Sequence, residues 1–154
     1  MSVNRDFIEI LAAFNAHSVE YIIVGAHAMA AHGHVRATKD LDIWVRPSDE
    51  NAPKVLASLV EFGAPLHDLT EADLATAGTI FQIGVPPIRI DILTEIDGVA
   101  FESAWPDRID VQIGGISVPV LSRHHLMANK RASGRLQDLA DLERLEKDEG
   151  RRTE

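Results

Sequence analysis

An α/β (α+β) domain is what this sequence predicts, with residues 1–154 forming one unit and a helical segment at about 122–149 packed on a sheet. Three observations carry that reading. Short apolar runs ended by glycine or proline alternate with stretches of helical periodicity. The length of 154 residues suits one domain with a proper core. The composition, 45% hydrophobic and 25% charged, is ordinary for a soluble globular protein.

Along the chain, Phe7, Ile8, Leu11, Ala12 and Phe14 recur at helical spacing, with Asn4 as a cap. Tyr21-Ile22-Ile23-Val24 reads as a buried strand ended by Gly25. Ala26 to Ala31 reads as a short helix closed near Gly33. A second strand, Leu41 to Val45, opens with Asp40-Leu41-Asp42 and stops at Pro47. Ser48-Asp49-Glu50 signals a helix start, followed by Val55, Leu56, Leu59, Val60 and Phe62, with Gly63 and Pro65 ending it. Thr70 to Asp73 suggests another short helix. Thr79 to Ile83 and Ile88 to Leu93 read as strands. Val99 to Trp105 reads as a short helix or loop. Gly114-Gly115 joins a hairpin of Val111–Ile113 and Ile116–Val120. Ser122 caps a helix through Ala132. After Gly134 a last helix runs from Arg135 to about Lys147, with Leu136, Leu139, Leu142 and Leu145 as its apolar positions. The charged tail from Asp148 to Glu154 is expected to fray.

Side chains two apart on a strand share a face, which places Asp40, Asp42 and Trp44 on one side and Leu41, Ile43 and Val45 on the core side. Paired carboxylates repel, and a divalent cation is the usual compensation. The bland alternative is a charged solvent face of an exposed strand. Asp91 alternates with Ile90 and Ile92 and shares its face with Arg89 and Leu93, so it can join Asp40 and Asp42. Gly25 ends a buried strand where backbone N–H groups can approach phosphate, and Arg36, Thr38 and Lys39 are further phosphate donors. Three carboxylates around one or two magnesium ions suit in-line displacement at a phosphoryl centre.

Other classes are excluded or unsupported. There is no cysteine, hence no disulfide, thiolate nucleophile, zinc–cysteine site or iron–sulfur cluster. The net charge of -9 argues against a protein that coats nucleic acid, though not against a local basic pocket. No run approaches the roughly 20 apolar residues of a membrane span, and the N-terminus carries no signal-peptide pattern, so a cytoplasmic protein with no membrane partner is expected. The histidines, including His27, His32, His34 and the pair His124-His125, form no recognised metal motif. His32 is expected to satisfy backbone groups near the turn. Arg123, Lys130, Arg131 and Arg135 make a local basic group, read either as a solvated helix face or as phosphate contacts.

Val24-Gly25-Ala26-His27-Ala28, then His32-Gly33, Arg36, Thr38 and Asp40-Leu41-Asp42, resemble the signature of the DNA polymerase β-like nucleotidyltransferase superfamily. More narrowly, they resemble small nucleotidyltransferase-like proteins related to the AbiEii-type toxins. Arg89-Ile90-Asp91-Ile92-Leu93 resembles the strand bearing that superfamily's third carboxylate. Lys130, Gly134-Arg135 and Asp138-Leu139-Ala140-Asp141-Leu142 resemble its C-terminal helical pattern. The likeness spans about Tyr21 to Leu145, and it departs from many members by having Ala26 and His27 after Gly25.

The resemblance implies a mixed sheet flanked by helices, with the turn Gly25, Ala26 and His27 holding a nucleoside triphosphate. Asp40, Asp42 and Asp91 would be the catalytic carboxylates and the ligands of Mg2+ (or Mn2+), Asp91 nearest the attacking hydroxyl. Lys130 would meet the triphosphate, and Asp138 would orient Lys130 or Arg135. The implied reaction moves a nucleoside monophosphate from an NTP to a hydroxyl on an RNA 3′ end, a protein or a small molecule. A toxin-like role with an antitoxin partner is implied by the family alone. Two other readings stand beside it: an inactive binding or regulatory module of the same fold, and metal-dependent phosphoester hydrolysis.

Overall fold

The computed structural model describes residues 4–35, 40–84 and 88–153, without the side chains of 152 and 153. Arg36, Thr38 and Lys39, expected as phosphate donors, lie outside the described residues. Helix α1 spans Arg5–Ala16, and Asn4 Oδ1 accepts the Asp6 N–H at 2.8 Å as its cap. Strand β1 (Tyr21–Val24) is buried throughout and passes directly into α2 (Gly25–Ala31). Strand β2 is Asp40–Val45, starting one residue before the expected Leu41.

Helix α3 (Ala52–Phe62) begins later than the Ser48 signal suggested. Ser48 Oγ instead accepts the Asn51 N–H, tightening a turn. The buried Asn51 side chain then ties the backbone at Glu20 and Arg46. Pro53 then sits in the first turn of α3, where its missing N–H leaves no helical bond unmade. Gly63 ends α3 in the left-handed conformation. The short α4 (Glu71–Leu74) carries a capping box between Thr70 and Asp73. Then come β3 (Ile80–Ile83), β4 (Arg89–Leu93), α5 (Phe101–Ala104), a 3-10 turn at Trp105–Asp107, and the hairpin β5 (Ile109–Ile113) and β6 (Ile116–Val120). Helices α6 (Arg123–Ser133) and α7 (Leu136–Thr153) close the chain, broken apart by left-handed Gly134.

The six strands form one mixed sheet in the order β3-β4-β2-β1-β6-β5. β1 and β2 pair antiparallel at its centre; β4 joins β2 and β6 joins β1 in parallel; β3 and β5 are antiparallel edges. Burial follows this order. The central strands supply Ile22, Ile23, Leu41, Ile43 and Ile92 to the core, while the edge strand β3 leaves Ile80 exposed. On the Asp face of β2, Trp44 is buried beneath Phe101, ring centroids 4.9 Å apart. The segment after β4 therefore crosses that face. It continues onto α6, where a Cβ at Gly98 would lie 2.5 Å from the Ala132 Cβ.

Two expectations for α7 need correction. Leu142 and Leu145 are buried, but Leu136 is 89% and Leu139 45% exposed. Asp138 and Asp141 occupy the inner positions instead. The tail also does not fray at Asp148. The helix continues to Thr153, and Asp148 accepts from His34 Nε2 and Arg123 Nη1, tying the segment after α2 and the start of α6 to it.

Candidate active site

Register assembles the site. Asp42 is the direct partner of Asp91 in the parallel β2–β4 ladder, and of Val24 in the antiparallel β1–β2 ladder. Asp40 stands opposite Arg89. Two carboxylates at one register position of adjacent strands point the same way, so strand pairing alone sets Asp91 beside Asp42. The residue after Val24 is Gly25, at φ +70°, and a Cβ there would lie 2.2 Å from Asp42 Oδ2. Glycine is required twice over, by the left-handed backbone and by the approach of the carboxylate. Ala26 carries no such demand, for the described non-glycine residues with positive φ are Ser18 and His67.

The cluster stores repulsion. Burial pushes the Asp42 carboxyl up to about 6, and the charges of Asp91 and Asp40 add to this while Arg89 offsets part of it. Burial likewise raises Asp91, against the pull of Arg89. Arg89 Nε lies 3.1 Å from Asp91 Oδ1, and Nη2 lies 3.8 Å from Asp40 Oδ2. The closer approach is not aligned as a hydrogen bond, and both Arg89 Nε and Asp91 Oδ1 are buried without a hydrogen-bond partner. Asp91 Oδ1, ion-paired to Arg89 but without an aligned hydrogen bond, stands beside two more carboxylates, and such an all-oxygen set is of the kind hard divalent cations take. As the side chains stand, no group of three His, Cys, Asp or Glu among the described residues is arranged to hold a metal ion.

The remaining predicted residues fall in different places. His27 packs its ring edge-on against Phe7, centroids 5.6 Å apart, with Nε2 buried and unpartnered. Burial lowers its pKa. His32 Nε2 meets the Leu121 carbonyl at 2.8 Å, the backbone role expected of it. Lys130 is buried, its Nζ 3.0 Å from Asp141 Oδ2 and 3.5 Å from Asp138 Oδ1. Asp138 turns its second oxygen to Arg135, whose Nε donates at 2.8 Å. Arg123 pairs with Asp148 and Glu149 rather than facing solvent alone.

Sequence reasoning did not single out Arg89 as part of the site. Its signal was the Arg-x-Asp spacing, which puts Arg89 and Asp91 on one face of β4. No helix among the described residues is long and apolar enough to cross a membrane.

A mixed sheet flanked by helices, with a glycine turn pressed on a strand carboxylate, is the nucleotidyltransferase fold. No protein-family model matches the chain, and no curated protein matches it. Solved structures do. A candidate nucleotidyltransferase from Thermotoga maritima superposes with a TM-score of 0.57 at 18% identity, over 97% of this chain and 89% of that one. The lincosamide antibiotic adenylyltransferase LnuA, bound to lincomycin, gives 0.58 at 14% identity, over 94% and 97%. The antibiotic-resistance factor ANT(2'')-Ia gives 0.60 at 15% identity, over 91% and 80%.

Proposed function

We propose that the chain is a magnesium- (or manganese-) dependent nucleotidyltransferase. It would move a nucleoside monophosphate from an NTP to a hydroxyl acceptor. The observation that carries this is the Asp42–Asp91 pair held in register, with Gly25 closed against Asp42. Asp40 and Asp42 would hold the metal with Asp91, and the bound metal would supply positive charge for the phosphates and acidify the acceptor hydroxyl. Asp91 would take the hydroxyl proton as the acceptor oxygen bonds to the α-phosphorus. The bond to the α–β bridging oxygen breaks, and pyrophosphate leaves. The backbone at Gly25 and Ala26, where α2 begins without a side-chain cap, would line the β- and γ-phosphates. The likeness to the lincosamide antibiotic adenylyltransferase LnuA, lincomycin-bound, is what supports a small-molecule acceptor; an RNA 3′ end and a protein side chain are the other acceptors to test.

The experiment is magnesium-dependent transfer from each of the four α-labelled NTPs to cellular RNA, protein and small-molecule extracts. Label should transfer with release of pyrophosphate and stop with Asp42→Asn. Release of inorganic phosphate instead would indicate phosphoester hydrolysis. One observation favours a non-catalytic module of the same fold: Arg89 already neutralises part of the cluster. Absence of transfer from all four NTPs would support that reading. A toxin-like role predicts growth arrest on expression in a bacterial host, relieved by an antitoxin partner.

A further inference from the structure

The row of paired residues that joins Asp42 to Asp91 does not end at Asp91. Gln82 on β3 is the direct partner of Asp91 across the antiparallel β3–β4 ladder. The row therefore runs Val24, Asp42, Asp91, Gln82 over four adjacent strands. Register partners project to one face, so Gln82 stands on the carboxylate face of the sheet. The backbone fixes the kind of pair. The Thr94 N–H donates to the Thr79 carbonyl at 3.0 Å, so Thr79 and Thr94 are a hydrogen-bonded pair. Such pairs alternate along an antiparallel ladder, which makes Gln82–Asp91 a non-hydrogen-bonded pair, the class with Cα atoms about 4.5 Å apart and side chains closest.

Ile80 shares this face with Gln82, two residues away, and is paired with Leu93. Phe81 and Ile83 point the other way and pack against the core. The carboxylate face is covered at β2, where Phe101 lies on Trp44, and open at β3, where Ile80 is 65% exposed and Gln82 is exposed. Next to Asp91 the sheet thus presents one apolar side chain and one amide, a donor and an acceptor on the same group.

Charge decides what this strip can receive. Between Lys54 and Arg89 the sequence contains no lysine or arginine. Arg89 itself is paired with Asp91 and Asp40. A polyanion such as an RNA 3′ end brings phosphates that need free cations, and β3 offers none.

We infer that Ile80 and Gln82 form the acceptor side of the active site, and that the acceptor is a small uncharged hydroxyl compound with an apolar body. The inference rests on the nucleotidyl-transfer reading, in which Asp91 takes the hydroxyl proton. In-line displacement sets the attacking oxygen and the leaving group on opposite sides of phosphorus. The row has that polarity: Gly25 follows Val24 at one end, Gln82 stands at the other, and Asp91 lies on the Gln82 side of Asp42. The Gln82 amide bonds a polar group beside the reacting hydroxyl, and Ile80 receives the apolar part.

The test gives wild type, Ile80→Thr and Gln82→Ala magnesium, each α-labelled NTP in turn, and four fractions of a cellular extract: RNA, protein, water-phase small molecules and butanol-soluble small molecules. Label should enter the butanol-soluble fraction. Each substitution should raise the half-saturating amount of that fraction about threefold or more, with the half-saturating NTP concentration, Mn2+ affinity and melting temperature unchanged. Label in RNA, protein or the water phase alone overturns this inference and leaves nucleotidyl transfer standing. Variants whose acceptor requirement is unchanged, or rises only together with the NTP requirement, do the same. A wild type that labels none of the four fractions overturns both.

Discussion

Asp42→Asn should make the protein more stable at neutral pH while abolishing transfer. The Asp42 carboxyl is pushed from 3.8 to about 6 by burial and by Asp91 and Asp40. The folded state therefore holds its proton more tightly than the unfolded chain does. Between those two values the unfolded state binds fewer protons, so stability falls as pH rises, and the full penalty is present above about 6. Each unit is worth about 1.4 kcal/mol, so the shift corresponds to roughly 3 kcal/mol. Residual solvation of the cleft and relaxation of Arg89 reduce this to about 1–2 kcal/mol. For a chain of this size that is a rise of about 2–8 °C in melting temperature. Asparagine keeps the shape, removes the charge, and offers an amide donor beside Asp91, whose Oδ1 lacks a hydrogen-bond partner. The assay is urea unfolding of both proteins from pH 4.5 to 7.5, in chelator and in magnesium chloride. In chelator the advantage of the variant should grow with pH and level off above about 6. Magnesium should stabilise the wild type and not the variant. A variant that is less stable at pH 7.5, or an advantage that does not vary with pH, would refute the claim that repulsion is stored at Asp42.

Three further outcomes follow from the same geometry. Gly25→Ala should cost about 1–3 kcal/mol and abolish nucleotide binding, because the new Cβ meets Asp42 Oδ2 at 2.2 Å on a backbone of φ +70°; urea unfolding and calorimetry read the two effects. Leu145→Ala should cost about 2–5 kcal/mol, whereas Leu136→Ala, at a site 89% exposed, should change stability by less than about 0.5 kcal/mol. His27→Phe should matter mainly in acid. Burial lowers the folded-state pKa of His27 from 6.5, so the wild type loses stability as pH falls through that value. The variant should escape this loss, and melting temperatures at pH 5 and 7.5 would show the difference.

The carboxylates were legible in the sequence because strand period is two and admits no drift. Once β2 and β4 were strands, Asp40, Asp42 and Asp91 had to point off alternating apolar faces. That they could meet was expected from their shared polarity and from the family resemblance; the register that joins them was not legible. It depends on β4 lying parallel to β2 with Asp91 opposite Asp42, and strand order is set by packing of the whole sheet. Arg89 shares a face of β4 with Asp91, which the spacing does show, but its second partner Asp40 stands on the neighbouring strand and was not legible.

Helix α7 failed for a different reason, and that reason explains the buried network. Its leucines recur every third residue, while an α-helix turns about 100° per residue. Three residues fall about 60° short of a full turn, so from Leu136 to Leu145 the deficit reaches half a turn. The two leucines must face opposite ways, and they do: Leu145 is fully buried and Leu136 almost fully exposed. The face that does obey helical spacing runs through Asp138, Asp141, Leu142 and Leu145. Reading it from sequence would have required placing two carboxylates in the interior. That is permissible only because Lys130 arrives from α6 to pair with both. A helix built for stability alone would carry leucine at those two positions. This one sets its leucines partly outside and a charged network inside, with Arg135 at the end that emerges into solvent.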